Sequence, residues 1–104
     1  MKKVISTTKA PSAIGPYSQA IQTGNMIFTS GQVAINPESG ELVMDSIQTE
    51  THQVMKNLSA VLAEAGTDFS KVVKTSIFLK NMDDFANVNE IYASYFSSDF
   101  PARE

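Results

Sequence analysis

Between Asp45 and Gly66 the apolar side chains Ile47, Val54, Leu58, Val61, Leu62 and Ala65 recur at helical spacing, which makes this stretch an amphipathic helix with one stripe that must be covered. Both ends carry their own punctuation. Asp45 or Ser46 can accept hydrogen bonds from the first free amides, Gln48 stands three residues after Asp45, and Gly66 offers the left-handed turn that ends helices. Whatever else the chain does, it must supply an apolar surface for this helix.

The rest of the chain offers strands and one more helix. Lys2 to Thr7 is short and β-like, and it runs into Ala10-Pro11-Ser12-Ala13-Ile14-Gly15-Pro16-Tyr17, where two prolines and a glycine predict an ordered loop. Met26 to Ser30 and Val33 to Ile35 read as strand. The turn formers Asn36-Pro37-Glu38-Ser39-Gly40 then lead to Leu42 and Val43, which predicts a hairpin. Val72 to Leu79 alternates, with Val73, Thr75, Ile77 and Leu79 on one face and Lys74, Ser76 and Lys80 mostly on the other. Asn81-Met82-Asp83-Asp84 supplies a cap, and Phe85, Val88, Tyr92, Tyr95 and Phe96 repeat at helical spacing until Ser97-Ser98-Asp99. Strands, helix, strand, helix in this order predict an α+β domain with two helices packed on one face of a mixed β-sheet. No repeat or linker interrupts it, so residues 1–104 read as one domain.

Composition narrows the function. Hydrophobic residues at 42% against 18% charged place the chain among globular proteins and not disordered tails. No apolar run approaches the roughly 18 to 20 residues of a bilayer span, and Met1-Lys2-Lys3-Val4-Ile5 lacks a signal peptide's apolar segment; a cytoplasmic protein without membrane partners is expected. Zero cysteines exclude disulfides, thiolate catalysis and cysteine-type zinc sites. A net charge of −3 with scattered lysines gives no basic stripe for a phosphate backbone, so a nucleic-acid partner is not expected.

Few side chains carry obvious chemistry. His52 is the only histidine, lies off the apolar stripe and has no companion ligands, so it reads as a solvated surface residue, and no metal site is expected. Arg103 is the single arginine, and its planar fork can grip a carboxylate through two parallel hydrogen bonds as lysine cannot; a surface ion pair is the plainer reading. Ser30-Gly31-Gln32 places a hydroxyl at a strand end beside a glycine that permits close backbone approach, which suits either a small polar ligand or a simple bulge. Tyr17 could present its hydroxyl from the loop or merely pack there. Asn89, one position round the helix from Val88, could reach a site or bond to backbone.

Read together, Ala13-Ile14-Gly15-Pro16-Tyr17-Ser18-Gln19-Ala20, Thr29-Ser30-Gly31-Gln32 and Asn36-Pro37 with Gly40 resemble the RidA (YjgF-type) reactive-intermediate deaminases. Asn57-Leu58, Ala65-Gly66, Val73-Lys74-Thr75, Asp84-Phe85, Val88-Asn89, Tyr92 and Phe100-Pro101-Ala102-Arg103 continue the match in the same order, over essentially the whole chain. The resemblance implies a chorismate-mutase-like α+β subunit that assembles as a homotrimer, with sites in the clefts between neighbours and no cofactor. It implies that Arg103 clamps the substrate carboxylate and that Tyr17, Ser30 and Asn89 line the same pocket. The reaction implied is hydrolysis of 2-iminobutanoate or 2-iminopropanoate to a 2-keto acid and ammonia, which removes a metabolite that attacks pyridoxal-phosphate enzymes. An imine carbon is already electrophilic, so an oriented water and a fixed carboxylate supply most of the catalysis.

One departure bears on this expectation. Family members follow the arginine with a small residue and two further strands, the last bearing a glutamate that helps place water, whereas Glu104 follows Arg103 here; the domain reads as truncated at its C-terminal end. Glu104 is also a potential competitor for the guanidinium. Two rival readings stand beside the deaminase: a non-catalytic module that binds 2-keto acids through the same clamp, and an RNA-directed activity, which the acidic charge disfavours.

Overall fold

The computed structural model describes residues Met1–Glu104. Strands β1 (Lys2–Ile5), β2 (Ala20–Thr23) and β3 (Met26–Thr29) form an antiparallel sheet in the order β1-β2-β3. Helix α1 spans Ile47–Glu64, a 3₁₀ turn covers Phe69–Lys71, β4 is Lys74–Thr75, a second 3₁₀ turn covers Met82–Asp84, α2 is Phe85–Ala93 and β5 is Ala102–Arg103. The expected α+β architecture of two helices and mixed strand directions is present, with β4 and β5 pairing in parallel.

Helix α1 begins and ends where its local chemistry requires. Ser46 is the N-cap, its hydroxyl accepting from the Thr49 amide while Thr49 Oγ1 accepts from the Ser46 amide, so the capping pair lies one residue beyond the Asp45–Gln48 alternative. At the other end the Thr67 amide donates to the Leu62 carbonyl and the Gly66 amide to that of Ala63, with Gly66 at φ +80°. This pair of bonds is the left-handed helix stop that glycine forms without strain.

The buried side of α1 is not the pure apolar stripe expected. Met55, Val61 and Leu62 are buried, Val54 and Leu58 are half-buried, and the polar Thr51 and Asn57 are buried among them. Val61 meets Ile5, Ala10 and Ala20 in the central cluster, with Ile27, Ala60 and Ala65 packed around it. Helix α2 packs alongside α1, and the His52 Nδ1 to Tyr95 Oη hydrogen bond of 2.8 Å joins the two, so exposed His52 has a structural partner and is not simply solvated.

Three strand expectations need correction. Ala20–Thr23 is a strand that short alternation did not reveal; it pairs Ala20 with Ile5 and with Thr29, and the Gly24-Asn25 hairpin turn, Gly24 at φ +57°, sets the register. Val33 to Ile35 is not a strand. A single bridge joins Ile35 to Leu42, and Asn57 Nδ2 donates to the carbonyls of Val33 (3.2 Å) and Ile35 (2.9 Å), taking acceptors that a ladder would need. In the predicted Val72–Leu79 strand, only Lys74 and Thr75 are laddered, opposite Ala102 and Arg103. Alternation persists beyond them, with Thr75, Ile77 and Leu79 half-buried and Lys74, Ser76, Phe78 and Lys80 exposed, although Val73 is exposed as well.

Candidate functional site

Arg103 reaches its position through β-pairing. The Ala102 amide donates to the Val73 carbonyl, the Glu104 amide to that of Thr75, and the Ile77 amide to that of Glu104, which locks the backbone on both sides of Arg103. Its guanidinium then extends over α2. Nη1 donates to Asn89 Oδ1 at 2.7 Å, and Cζ lies 5.6 Å from the Phe85 ring centre and 5.1 Å from that of Tyr92. Phe85, Asn89 and Tyr92 are four and three residues apart and therefore share one helical face.

Glu104 does not compete for this cation. Successive residues of an extended chain point to opposite sides, and Glu104 turns to Lys74 Nζ at 3.4 Å and Ser76 Oγ at 3.4 Å. No carboxylate pairs with Arg103. Its guanidinium is fixed at one amino group by a neutral amide and holds its remaining donors on an exposed residue. Such a group is ready to receive a planar anion through two charge-assisted hydrogen bonds.

Tyr17 and Ser30 belong to a second locale, built by Gln19. This amide is 3% exposed; Oε1 accepts from the Thr7 amide at 2.7 Å, and Nε2 donates to the carbonyls of Thr7 (3.1 Å), Ala10 (3.4 Å) and Pro11 (2.7 Å). The proline-rich loop is thereby tied down, and half-exposed Tyr17 closes it, its Oη accepting from the Ile14 amide at 3.4 Å. Ser30 donates its hydroxyl proton to the Ser18 carbonyl at 2.6 Å, which leaves its oxygen only as an acceptor. Beside them lies a hollow of about 290 Å³ whose walls include Ile14, Tyr17, Gly31, Gln32 and Val33, though not Ser30. Every residue of its wall falls between Pro11 and Gly40, and no hydrogen bond connects it with Arg103 or Asn89.

The structure thus brings Arg103 to Asn89, while Ser30 is bonded to Ser18, the chain neighbour of Tyr17, in a separate locale. Phe85, Tyr92 and Gln19 were not anticipated as site-building residues. The helical spacing of the first two with Asn89 was visible, but nothing local says that a strand brings an arginine onto that face.

A larger hollow of about 400 Å³ lies between the Phe69–Lys71 turn and Ser94 to Ser98. Its one charged wall residue is Asp68, whose carboxyl is held below its ordinary pKa by hydrogen bonds from the Ser70 hydroxyl and amide, and therefore stays anionic. That wall repels a carboxylate ligand. Tyr95, on the same rim, has its hydroxyl pKa raised by burial and stays neutral beside His52.

Comparison with known proteins agrees with the motif series. Residues 7–104 match the family described as Endoribonuclease L-PSP. The 2-iminobutanoate/2-iminopropanoate deaminase of Mus musculus is 54% identical over 103 residues, which cover 99% of this chain and 76% of the mouse protein. Among solved structures, YyfA of the conserved Rid protein family from Yersinia pestis superposes with a TM-score of 0.96 at 53% identity, covering 99% of this chain and 82% of that one. Escherichia coli TdcF with bound serine superposes with a TM-score of 0.93 at 35% identity, covering 98% of this chain and 82% of that one. The chain therefore belongs to the Endoribonuclease L-PSP family, the RidA-type family that its spaced motifs resemble.

Proposed function

We propose that this chain is an imine deaminase that hydrolyses 2-iminobutanoate and 2-iminopropanoate to the 2-keto acids and ammonia. The observation that carries the reading is Arg103, a cation with no carboxylate partner, oriented by Asn89 and open to an incoming carboxylate. The mouse relative's name supplies the substrate class, and the serine held by TdcF supports a small ligand bearing a carboxylate. In the reaction, water adds to the carbon of the C=N bond, the nitrogen takes up protons, and the C–N bond breaks to release ammonia as C=O forms. Arg103 fixes the carboxylate and withdraws electron density next to that carbon, with Asn89 and the Tyr17 and Ser30 oxygens lining the same pocket. No cofactor is invoked.

Assembly completes the site in this reading. The Arg103 and Tyr17 locales lie apart within one subunit, and a homotrimer lets one subunit's arginine face a neighbour's tyrosine. One face of the sheet supports this. The sheet face turned from α1 carries the row Val4, Ile21 and Phe28, with Val4 and Phe28 more than half exposed. The protein would act in the cytoplasm, protecting pyridoxal-phosphate enzymes from the enamine tautomer. No helix is long and apolar enough to cross a membrane. RNA cleavage, which the family's description names, is disfavoured by a charge of −3 and a single arginine.

The test follows the decay of freshly generated 2-iminobutanoate. The full chain should accelerate it, and Arg103→Lys should lose about a hundredfold in kcat/KM, nearly as much as Arg103→Ala, because lysine cannot make the paired bonds. Binding of 2-ketobutyrate without any acceleration of decay would establish a binding module instead.

A further inference from the structure

We propose that Phe85 and Tyr92 are positioning residues, an aromatic cleft on α2 that holds the Arg103 guanidinium in the orientation a carboxylate ligand requires; this rests on the carboxylate clamp proposed above. Arg103 is an exposed residue on a strand of two residues, with one side-chain hydrogen bond, to Asn89. One bond leaves the long side chain free to swing about it, and that freedom would be lost on each binding event. The two rings restrict it. Their centres lie 5.6 and 5.1 Å from Cζ, within the range where an aromatic face attracts a cation.

The Tyr92 ring is itself locked. It is 6% exposed, and its hydroxyl shares a 2.7 Å hydrogen bond with Thr75 Oγ1. Thr75 is the residue paired with Arg103 across β4 and β5. One strand residue therefore fixes both the backbone of the arginine and the ring beside its guanidinium, so cation and aromatic face are referenced to the same point. Phe85 is 44% exposed. It lies outside the buried core, and its ring meets the Arg103 guanidinium.

The experiment uses the full chain and two ligands, 2-ketobutyrate and its uncharged amide, 2-ketobutyramide, measured by calorimetry. Phe85→Leu and Tyr92→Leu should each raise the Kd for 2-ketobutyrate by roughly fivefold to tenfold and leave that for the amide unchanged. Tyr92→Phe keeps the ring and should retain most of the affinity. Because Tyr92 is buried, Phe85→Leu carries the test if Tyr92→Leu does not fold. Equal weakening of both ligands by Phe85→Leu, or no weakening of either, overturns the positioning role. Arg103→Ala serves as reference. If it lowers carboxylate affinity and Phe85→Leu does not, the clamp stands and only the aromatic cleft falls; if Arg103→Ala has no effect, the clamp itself fails and the cleft with it.

Discussion

Asn57 shows how one polar side chain inside the core can shape a site far along the chain. It is 1% exposed, accepts from Gln53 Nε2 at 2.9 Å, and donates to the Val33 and Ile35 carbonyls. Those carbonyls belong to the segment that walls the hollow beside Tyr17. A ladder would satisfy them in an ordinary strand; here an amide on α1 does so and holds the segment out of the sheet. Asn57→Leu removes both donors and leaves the Ile35 carbonyl without a partner, while the Val33 carbonyl keeps the Ile35 amide, so the expected cost is about 2 kcal/mol, read as a lower urea midpoint with little change in slope. Wild-type stability in this variant would show that the segment finds other partners. Asn57 and Gln19 both act by satisfying loop backbone, whereas the Arg103 guanidinium is left without a counter-ion because its partner is an amide rather than a carboxylate.

At the scale of elements, α1 is the frame to which both locales are attached. Its far end is set by Gly66, at φ +80°, followed by the 3₁₀ turn that leads into β4. A Cβ at Gly66 would meet nothing within 4 Å, so Gly66→Ala carries only the backbone strain of a left-handed residue. The expected loss is about 1 kcal/mol, visible as a thermal midpoint several degrees lower. No loss would mean that the chain leaves the helix by another route. Helix α2 depends less on its own caps: Asp84 makes no side-chain cap bond, and the preceding 3₁₀ turn is capped instead by Asn81 Oδ1, which accepts from the Asp83 amide. Its placement comes from packing along α1 and from the Thr75–Tyr92 and Arg103–Asn89 bonds.

Over the whole molecule the dominant fact is how little is enclosed. Twelve of 104 residues are buried, while Phe78 is 92% exposed, Val73 71% and Phe28 59%. A slab of 42 × 34 × 20 Å with one helical layer cannot cover both faces of its sheet. The homotrimer proposed above would cover part of this surface, and light scattering at micromolar concentration should give three times the subunit mass. Phe28→Asp, on the outer sheet face, should shift the population toward monomer and reduce imine hydrolysis in parallel. A wild-type monomer with full activity would refute the shared-site arrangement.

What the residues determined alone was local. The 45–66 periodicity with its serine cap and glycine stop, the Asn81 cap and the alternation from Thr75 to Lys80 rest on neighbours within a few positions, where backbone geometry is short-ranged. The family's spaced motifs added the candidate site as residues without a geometry. Tertiary structure decided the rest. Ala20–Thr23 becomes a strand because β1 and β3 flank it, and Val33 to Ile35 does not because Asn57, more than twenty positions away, takes its carbonyls. Arg103 meets Asn89 across 14 residues and His52 meets Tyr95 across 43. Such contacts form only after the chain has closed long loops, so no local pattern encodes which partner waits at the end of each.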